Sequence, residues 1–138
     1  MPVRAIKKSG SSFVGSFPSF KLGKTVRYES TLERDFFYFL EFDSAVSSYE
    51  AQPFSIQATL DDGKVHKYTP DLLIIQNDLP VIIEIKPSSY IKKVDTLRQI
   101  EIGSNWAAEN NHRFLLITDN EIRQGTKLDE IALSLLSP

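Results

Sequence analysis

Tyr68-Thr-Pro-Asp71-Leu-Leu-Ile-Ile75, followed at once by Gln76-Asn-Asp-Leu-Pro80 and Val81-Ile-Ile-Glu84-Ile-Lys86-Pro87, is the stretch that decides the fold. It holds two apolar runs rich in β-branched residues, each too short for a helix and divided by a turn signal at Asn77-Asp78-Leu79-Pro80. The second run, Val81–Lys86, reads as a buried strand that Pro87 closes, because proline has no N–H to give to a ladder. Asp61-Asp62-Gly63 marks a further hairpin joining strands over 53–60 and 64–75. The expectation is a three-strand meander. Side chains alternate along a strand, so Glu84 and Lys86 share one face while Ile83 and Ile85 point to the other. Pairing the start of one strand with the end of the next brings Asp71 beside Glu84 and Lys86.

Outward from this centre, Ser30-Thr-Leu-Glu33 precedes an apolar run and has the spacing of a capping box. With Leu32, Phe36, Phe39 and Leu40 it predicts a helix over 31–41. A polar–apolar segment over 91–110 reads as a second helix and Phe114–Ile117 as a short buried strand. Leu128, Ile131, Ala132 and Leu135 mark a final amphipathic helix. Helix, three-strand meander, helix, strand and helix give an α/β class, a mixed β-sheet flanked by helices. The 138 residues suit one domain. Residues 1–28, rich in Ser, Gly, Lys and Arg, read as an extended arm rather than a helix or core strand, leaving 29–138 as the domain. Phe13, Phe17 and Phe20 are expected to dock that arm on the domain.

The formal charge of −2 conceals an asymmetry. Residues 1–27 carry Arg4, Lys7, Lys8, Lys21, Lys24 and Arg27 and no acid. That makes the segment +6 and leaves ten basic and eighteen acidic residues, a balance of −8, in the remainder. A basic arm on an acidic body suits a chain that grips a polyanion in one place and a cation in another; a solvated tail is the plainer alternative. The absence of cysteine excludes disulfides and thiolate zinc sites and points to a reducing, cytoplasmic setting. No apolar run approaches the ~20 residues that span a bilayer, and the basic N-terminus has no apolar stretch of a secretory signal.

Glu84 and Lys86 alone could be an ion pair at a strand end. Asp71 changes the reading: two carboxylates a few ångströms apart repel, and a divalent cation relieves the repulsion. Hard oxygen donors select Mg²⁺ or Mn²⁺. Such an ion with a lysine beside it supports phosphodiester hydrolysis. Glu33 has two readings, as the acidic half of the cap or as a further ligand, because it shares the core-facing side of its helix with Phe36, Phe37 and Leu40. Gln52 could touch phosphate or bond loop backbone. Lys92, Lys93 and Arg98 could meet DNA phosphates or form a solvated face. His66 reads as a surface residue, His112 as a turn residue and Trp106 as core.

Several motifs together give a resemblance. Phe17-Pro18-Ser19, Tyr28-Glu-Ser-Thr-Leu-Glu33-Arg-Asp35, Tyr49-Glu-Ala-Gln-Pro53, Tyr68-Thr-Pro-Asp71, Ile83-Glu-Ile-Lys-Pro87, Phe114-Leu-Leu-Ile-Thr118 and Glu121-Ile122-Arg123 occur in the order and spacing of one family. The chain resembles, over about 15–136, the TnsA-type endonuclease subunit of heteromeric transposases, a branch of the restriction-endonuclease-like nucleases of the PD-(D/E)xK type. The resemblance implies a restriction-endonuclease-like core and a helical Glu, a strand Asp and a (Glu/Gln)-x-Lys strand, which fall here on Glu33, Asp71, Glu84 and Lys86. It lifts Glu33 from cap to ligand. It also implies cleavage of one strand at each transposon end, with a transposase subunit and an ATPase regulator as partners, leaving a 5′-phosphate and a 3′-hydroxyl.

The expectation is therefore an endonuclease of double-stranded DNA in which Glu33, Asp71, Glu84 and the backbone carbonyl of Ile85 bind Mg²⁺ or Mn²⁺. Lys86 positions the attacking water. Arg4, Lys7, Lys8, Lys21, Lys24, Arg27, Gln52, Lys92 and Lys93 touch DNA. Paired cuts suggest a homodimer. The chain reaches only Pro138, without room for the winged-helix domain that follows in the family. That opens a second reading, a stand-alone phage or mobile-element nuclease. A non-catalytic adaptor on the same fold is a third.

Overall fold

The structure is a computed structural model that describes residues 14–124. Arg4, Lys7, Lys8, Phe13 and the expected C-terminal helix lie outside the described residues. In chain order the elements are β1 (Gly15–Ser19), β2 (Lys24–Tyr28), α1 (Thr31–Phe42), β3 (Val46–Ala51), β4 (Ile56–Thr59), β5 (Val65–Tyr68), β6 (Leu72–Gln76), β7 (Leu79–Lys86), α2 (Val94–Glu109), β8 (Arg113–Thr118) and α3 (Asp119–Gln124).

The central sheet has the order β3-β6-β7-β8. β6 and β7 are antiparallel and joined by Asn77 and Asp78 alone, at φ of 50° and 65°. Two consecutive positive φ values make the turn whose twist matches a two-residue hairpin, and Asn and Asp tolerate them best. β7 and β8 run parallel, which requires a crossover, and α2 supplies it. β7 is covered on both faces, which is why Val81–Ile85 is apolar apart from Glu84 and does not alternate. On one face α1 buries Phe36, Phe37 and Leu40 against Leu72, Ile74, Val81, Ile83 and Ile85. On the other, α2 and the β4–β5 hairpin pack Ile102, Ala107, Ile56 and Tyr68 on Ile82. Glu84 and Lys86 have the parity of Ile82, so they emerge on the α2 face where β7 ends.

The α/β class, the mixed sheet and both long helices agree with the sequence. The meander requires correction. Thr69-Pro70-Asp71 interrupts the expected strand 64–75, and the chain divides there into β5 and β6. β4 and β5 form a two-stranded sheet of their own. The place beside β6 goes to β3, which the sequence reading did not find.

The arm also requires correction. Residues 15–28 form an antiparallel hairpin, with Phe17, Val26 and Tyr28 buried in the main core. Phe17 docks as expected, edge-on to Phe37 at 5.6 Å, whereas Phe20 is 98% exposed. Lys21 fastens the hairpin to the end of α1. Its Nζ donates to the carbonyls of Leu40, Asp43 and Val46 at 2.6, 2.7 and 2.6 Å, where helix carbonyls have no partner of their own and a cation is favoured. All three ammonium protons are thus engaged on protein oxygens, the arrangement of a structural cap. Among the described residues no helix is long and apolar enough to cross a membrane.

Candidate active site

The sheet register builds the site. Leu72 pairs with Ile83, so Asp71, one residue earlier, stands level with Glu84. Ala51 pairs with Leu72, which puts Gln52 level with Asp71 on the next strand. The row Gln52, Asp71, Glu84 thus crosses three neighbouring strands where they begin to part. Its backbone is pinned on both sides. The N–H of Gln52 donates to the Asp71 carbonyl at 3.0 Å, and the N–H of Asp71 donates to the Ile83 carbonyl at 3.1 Å. Gln52 holds a φ of 47°, a left-handed conformation that is uncommon for a residue with a side chain. Its side chain is exposed.

The Asp71 carboxylate turns towards β7, where Oδ2 accepts the N–H of Ile85 at 2.7 Å. A strand residue sends its N–H and C=O to the same side, so the Ile85 carbonyl faces the Asp71 side as well. Glu84 is 2% exposed and both its oxygens are engaged. The Tyr68 hydroxyl donates to Oε1 at 2.6 Å, and Lys86 Nζ lies 3.3 Å from Oε2.

Glu33 reaches the same group from α1. Its N–H donates to Ser30 Oγ at 3.1 Å, the cap the sequence predicts. Its own Oε1 accepts the N–H of Glu29 at 2.9 Å, one residue before the position a capping box would use. Burial and then the Asp71 charge push the Glu33 carboxyl up to about 7; the Glu29 N–H and Lys86 oppose them. Burial first and the Glu84 charge second raise Asp71 well above the usual carboxylate range, against the Ile85 N–H and Lys86. Burial also raises Glu84, although the Tyr68 hydroxyl and Lys86 counter it. The Glu84 charge thus bears directly on the Asp71 proton, as expected of two acids at close range.

The four residues singled out in the sequence therefore meet at one place. Among the described residues no trio of Asp, Glu or His side chains already surrounds one ion-sized point. The donor set is nonetheless one a hard divalent cation suits: three carboxyl groups whose ionisation burial disfavours, a carbonyl turned the same way, and no soft ligand.

The expected DNA contacts are dispersed. Lys24, at the start of β2, and Arg27, on its outward side, are both exposed, and Arg27 pairs with Glu29 at 3.6 Å. Lys92 and Lys93 are exposed just past the end of β7, with Lys93 Nζ 4.3 Å from the centre of the Tyr90 ring. Arg98 pairs with Asp95 at 3.6 Å. His66 bonds Asp62 at 2.8 Å on the hairpin. His112 meets the Asn110 carbonyl at 2.7 Å and the Trp106 ring. Trp106 is half-buried against Phe54. Tyr68 is the site residue the sequence reading passed over. Its signal was a phenol at the end of a polar hairpin strand, three residues before a candidate acid.

The family model described as TnsA-like endonuclease N terminal matches residues 43–119, more than half of the chain. The chain belongs to the TnsA-like endonuclease N-terminal family. No curated protein matches it. The matched span of this TnsA-like domain contains Gln52, Asp71, Glu84 and Lys86. Glu33 lies before it and joins the site through the fold.

Proposed function

We propose that this TnsA-like domain is a Mg²⁺- or Mn²⁺-dependent endonuclease that hydrolyses phosphodiester bonds of double-stranded DNA. The observation that carries the reading is Asp71 level with Glu84 across the β6–β7 ladder, with Lys86 on the same side. Glu33, Asp71, Glu84 and the Ile85 carbonyl would hold the ion. When bound, such an ion polarises a phosphate and lowers the pKa of a water near it. The remaining work falls to the chain. Lys86 orients the attacking water and offsets charge that develops on the phosphate. The Ile85 N–H fixes the Asp71 carboxylate, and the buried setting of Glu84 strengthens every charge interaction around it. Products are a 5′-phosphate and a 3′-hydroxyl.

Lys24, Arg27, Lys92 and Lys93, together with Arg4, Lys7 and Lys8, supply positive charge for the DNA backbone. Gln52, exposed beside Asp71, is placed to touch the phosphate next to the cut. In the family role the domain cuts one strand at each transposon end, beside a transposase subunit and an ATPase regulator, and paired ends call for paired copies.

The test is nicking of supercoiled plasmid with Mn²⁺ by wild type, Asp71→Ala and Lys86→Met, with Mn²⁺ affinity read by calorimetry. Nicking by wild type alone, with Mn²⁺ binding lost in Asp71→Ala but kept in Lys86→Met, supports the reading and shows that no partner is needed. Binding without nicking points to a subunit that waits for its transposase. No Mn²⁺ binding by wild type overturns the reading in favour of an adaptor.

A further inference from the structure

Glu84 is held from behind. Tyr68 ends β5, in the hairpin that leaves the central sheet, and its ring is 3% exposed between that hairpin, α2 and β7. The helix is shaped to admit it. A Cβ at Gly103 would lie 3.0 Å from a Tyr68 ring carbon and 2.5 Å from Phe114, contacts that only a glycine avoids. With the ring fixed, the hydroxyl meets Glu84 Oε1 at 2.6 Å while Oε2 is left on the Lys86 side.

We propose that Tyr68 is a positioning residue for the cleavage site: its hydroxyl holds Glu84 Oε1, so that Oε2, which Lys86 approaches at 3.3 Å, is the oxygen turned to the site where a divalent ion would bind. The inference rests on the reading of Glu84 as a ligand. A carboxylate on a two-carbon stem has several rotamers, and each must be excluded if the ion is to find one geometry. A hydrogen bond to the oxygen that does not bind does this, and removing such a bond typically weakens metal affinity ~10- to 100-fold.

The molecule carries its own control. Tyr49 donates to Glu41 Oε2 at 2.6 Å, a phenol–carboxylate pair of the same kind but only partly buried, at the other end of α1 from Glu33. Tyr49→Phe removes the bond without touching the site.

The experiment is calorimetric Mn²⁺ binding and metal-free thermal unfolding of the full chain as wild type, Tyr68→Phe, Tyr49→Phe and Asp71→Ala. The expected result is Mn²⁺ affinity at least ~10-fold weaker in Tyr68→Phe and unchanged in Tyr49→Phe, although both lower the melting temperature. Where nicking is measurable, Tyr68→Phe raises the Mn²⁺ concentration for half-maximal rate and leaves the rate at saturating Mn²⁺ near wild type. Equal affinity in Tyr68→Phe and wild type, with binding lost in Asp71→Ala, overturns the positioning role and spares the nuclease reading. Absence of binding in wild type overturns both. Should Tyr68→Phe fail to fold, Gly103→Ala, which presses on Phe114 and through the same contact set on the Tyr68 ring with its hydroxyl intact, carries the same expectation.

Discussion

Asp71 and Glu84 stand level on adjacent antiparallel strands, one step beyond the Leu72–Ile83 pair, with Asp71 Oδ2 accepting the Ile85 N–H at 2.7 Å. Their separation is therefore set by the ladder, not by side-chain choice. The strands cannot slip to relieve the repulsion, because a slip of one residue would turn Val81, Ile83 and Ile85 out of the core. The fold holds two acids together that would separate in a freer chain; burial raises both carboxyls, and the Glu84 charge raises Asp71 further.

Asp71→Asn tests that tension. The amide oxygen can still accept from Ile85, and the charge facing Glu84 is gone. Metal-free protein at pH 8 is expected to unfold at a temperature no lower than wild type, with a gain of roughly 1 kcal/mol, while Mn²⁺ binding and nicking are lost. Stability rising as activity vanishes is the pattern of a site built against its own stability. Thermal melts in EDTA beside calorimetry check it. A fall of several degrees would show that Asp71 serves the fold first.

Glu33 makes the tension depend on pH. Its carboxyl is raised from 4.5 to about 7, first by burial and then by Asp71. A raised carboxyl binds its proton more tightly in the folded state, so its stabilising effect is complete below 4.5 and is lost as pH rises through about 7. Glu33→Gln keeps an acceptor for the Glu29 N–H and removes the titration. Melting temperature measured against pH in EDTA is expected to fall less between 5 and 8 in Glu33→Gln than in wild type. Parallel curves for the two proteins would contradict the shift. Mg²⁺ is expected to stabilise wild type more at pH 8 than at pH 5, because the ion competes with these protons.

How far the sequence announced all this differs by element. Val81–Lys86 was legible because a covered strand leaves an apolar run, and the two charges inside it, which alone could be an ion pair, took on meaning once Asp71 was set beside them. α1 was legible from Ser30 and its spacing. β3 was not. The register shifts between Val46 and Ser48, so the buried residues are Val46 and Tyr49, three apart, and the period of two is lost. β1 and β2 were hidden by Pro18, Gly23 and basic residues on the outward positions, although Phe17 and Ser19, and Val26 and Tyr28, keep the inward alternation. The division at Thr69-Pro70 moved a hairpin across α2 and with it Tyr68. Nothing local to Tyr68 says that its hydroxyl ends on a residue sixteen positions later. The bonds of Lys21 were hidden for a related reason: a lysine in a basic segment looks free until the carbonyls of Leu40, Asp43 and Val46 are known to converge on it.

Lys21 supplies the last prediction. If its ammonium caps α1, Lys21→Met retains most of the stem and leaves three carbonyls without their donor. Hydrogen bonds to a charged group contribute about 1.5–3 kcal/mol, part of which water recovers at a half-buried position, so a loss of about 2 kcal/mol is expected. That lowers the melting temperature by several degrees in a domain of this size. DNA affinity below the melt, and the slope of its logarithm against that of salt concentration, should stay at the wild-type value, because no phosphate contact has been removed. Lys92→Ala/Lys93→Ala should do the reverse, flattening the salt slope with little change in melting, since both lysines are exposed beyond β7. A shallower salt slope in Lys21→Met would return Lys21 to the DNA-binding surface and require its three carbonyl contacts to open when DNA binds.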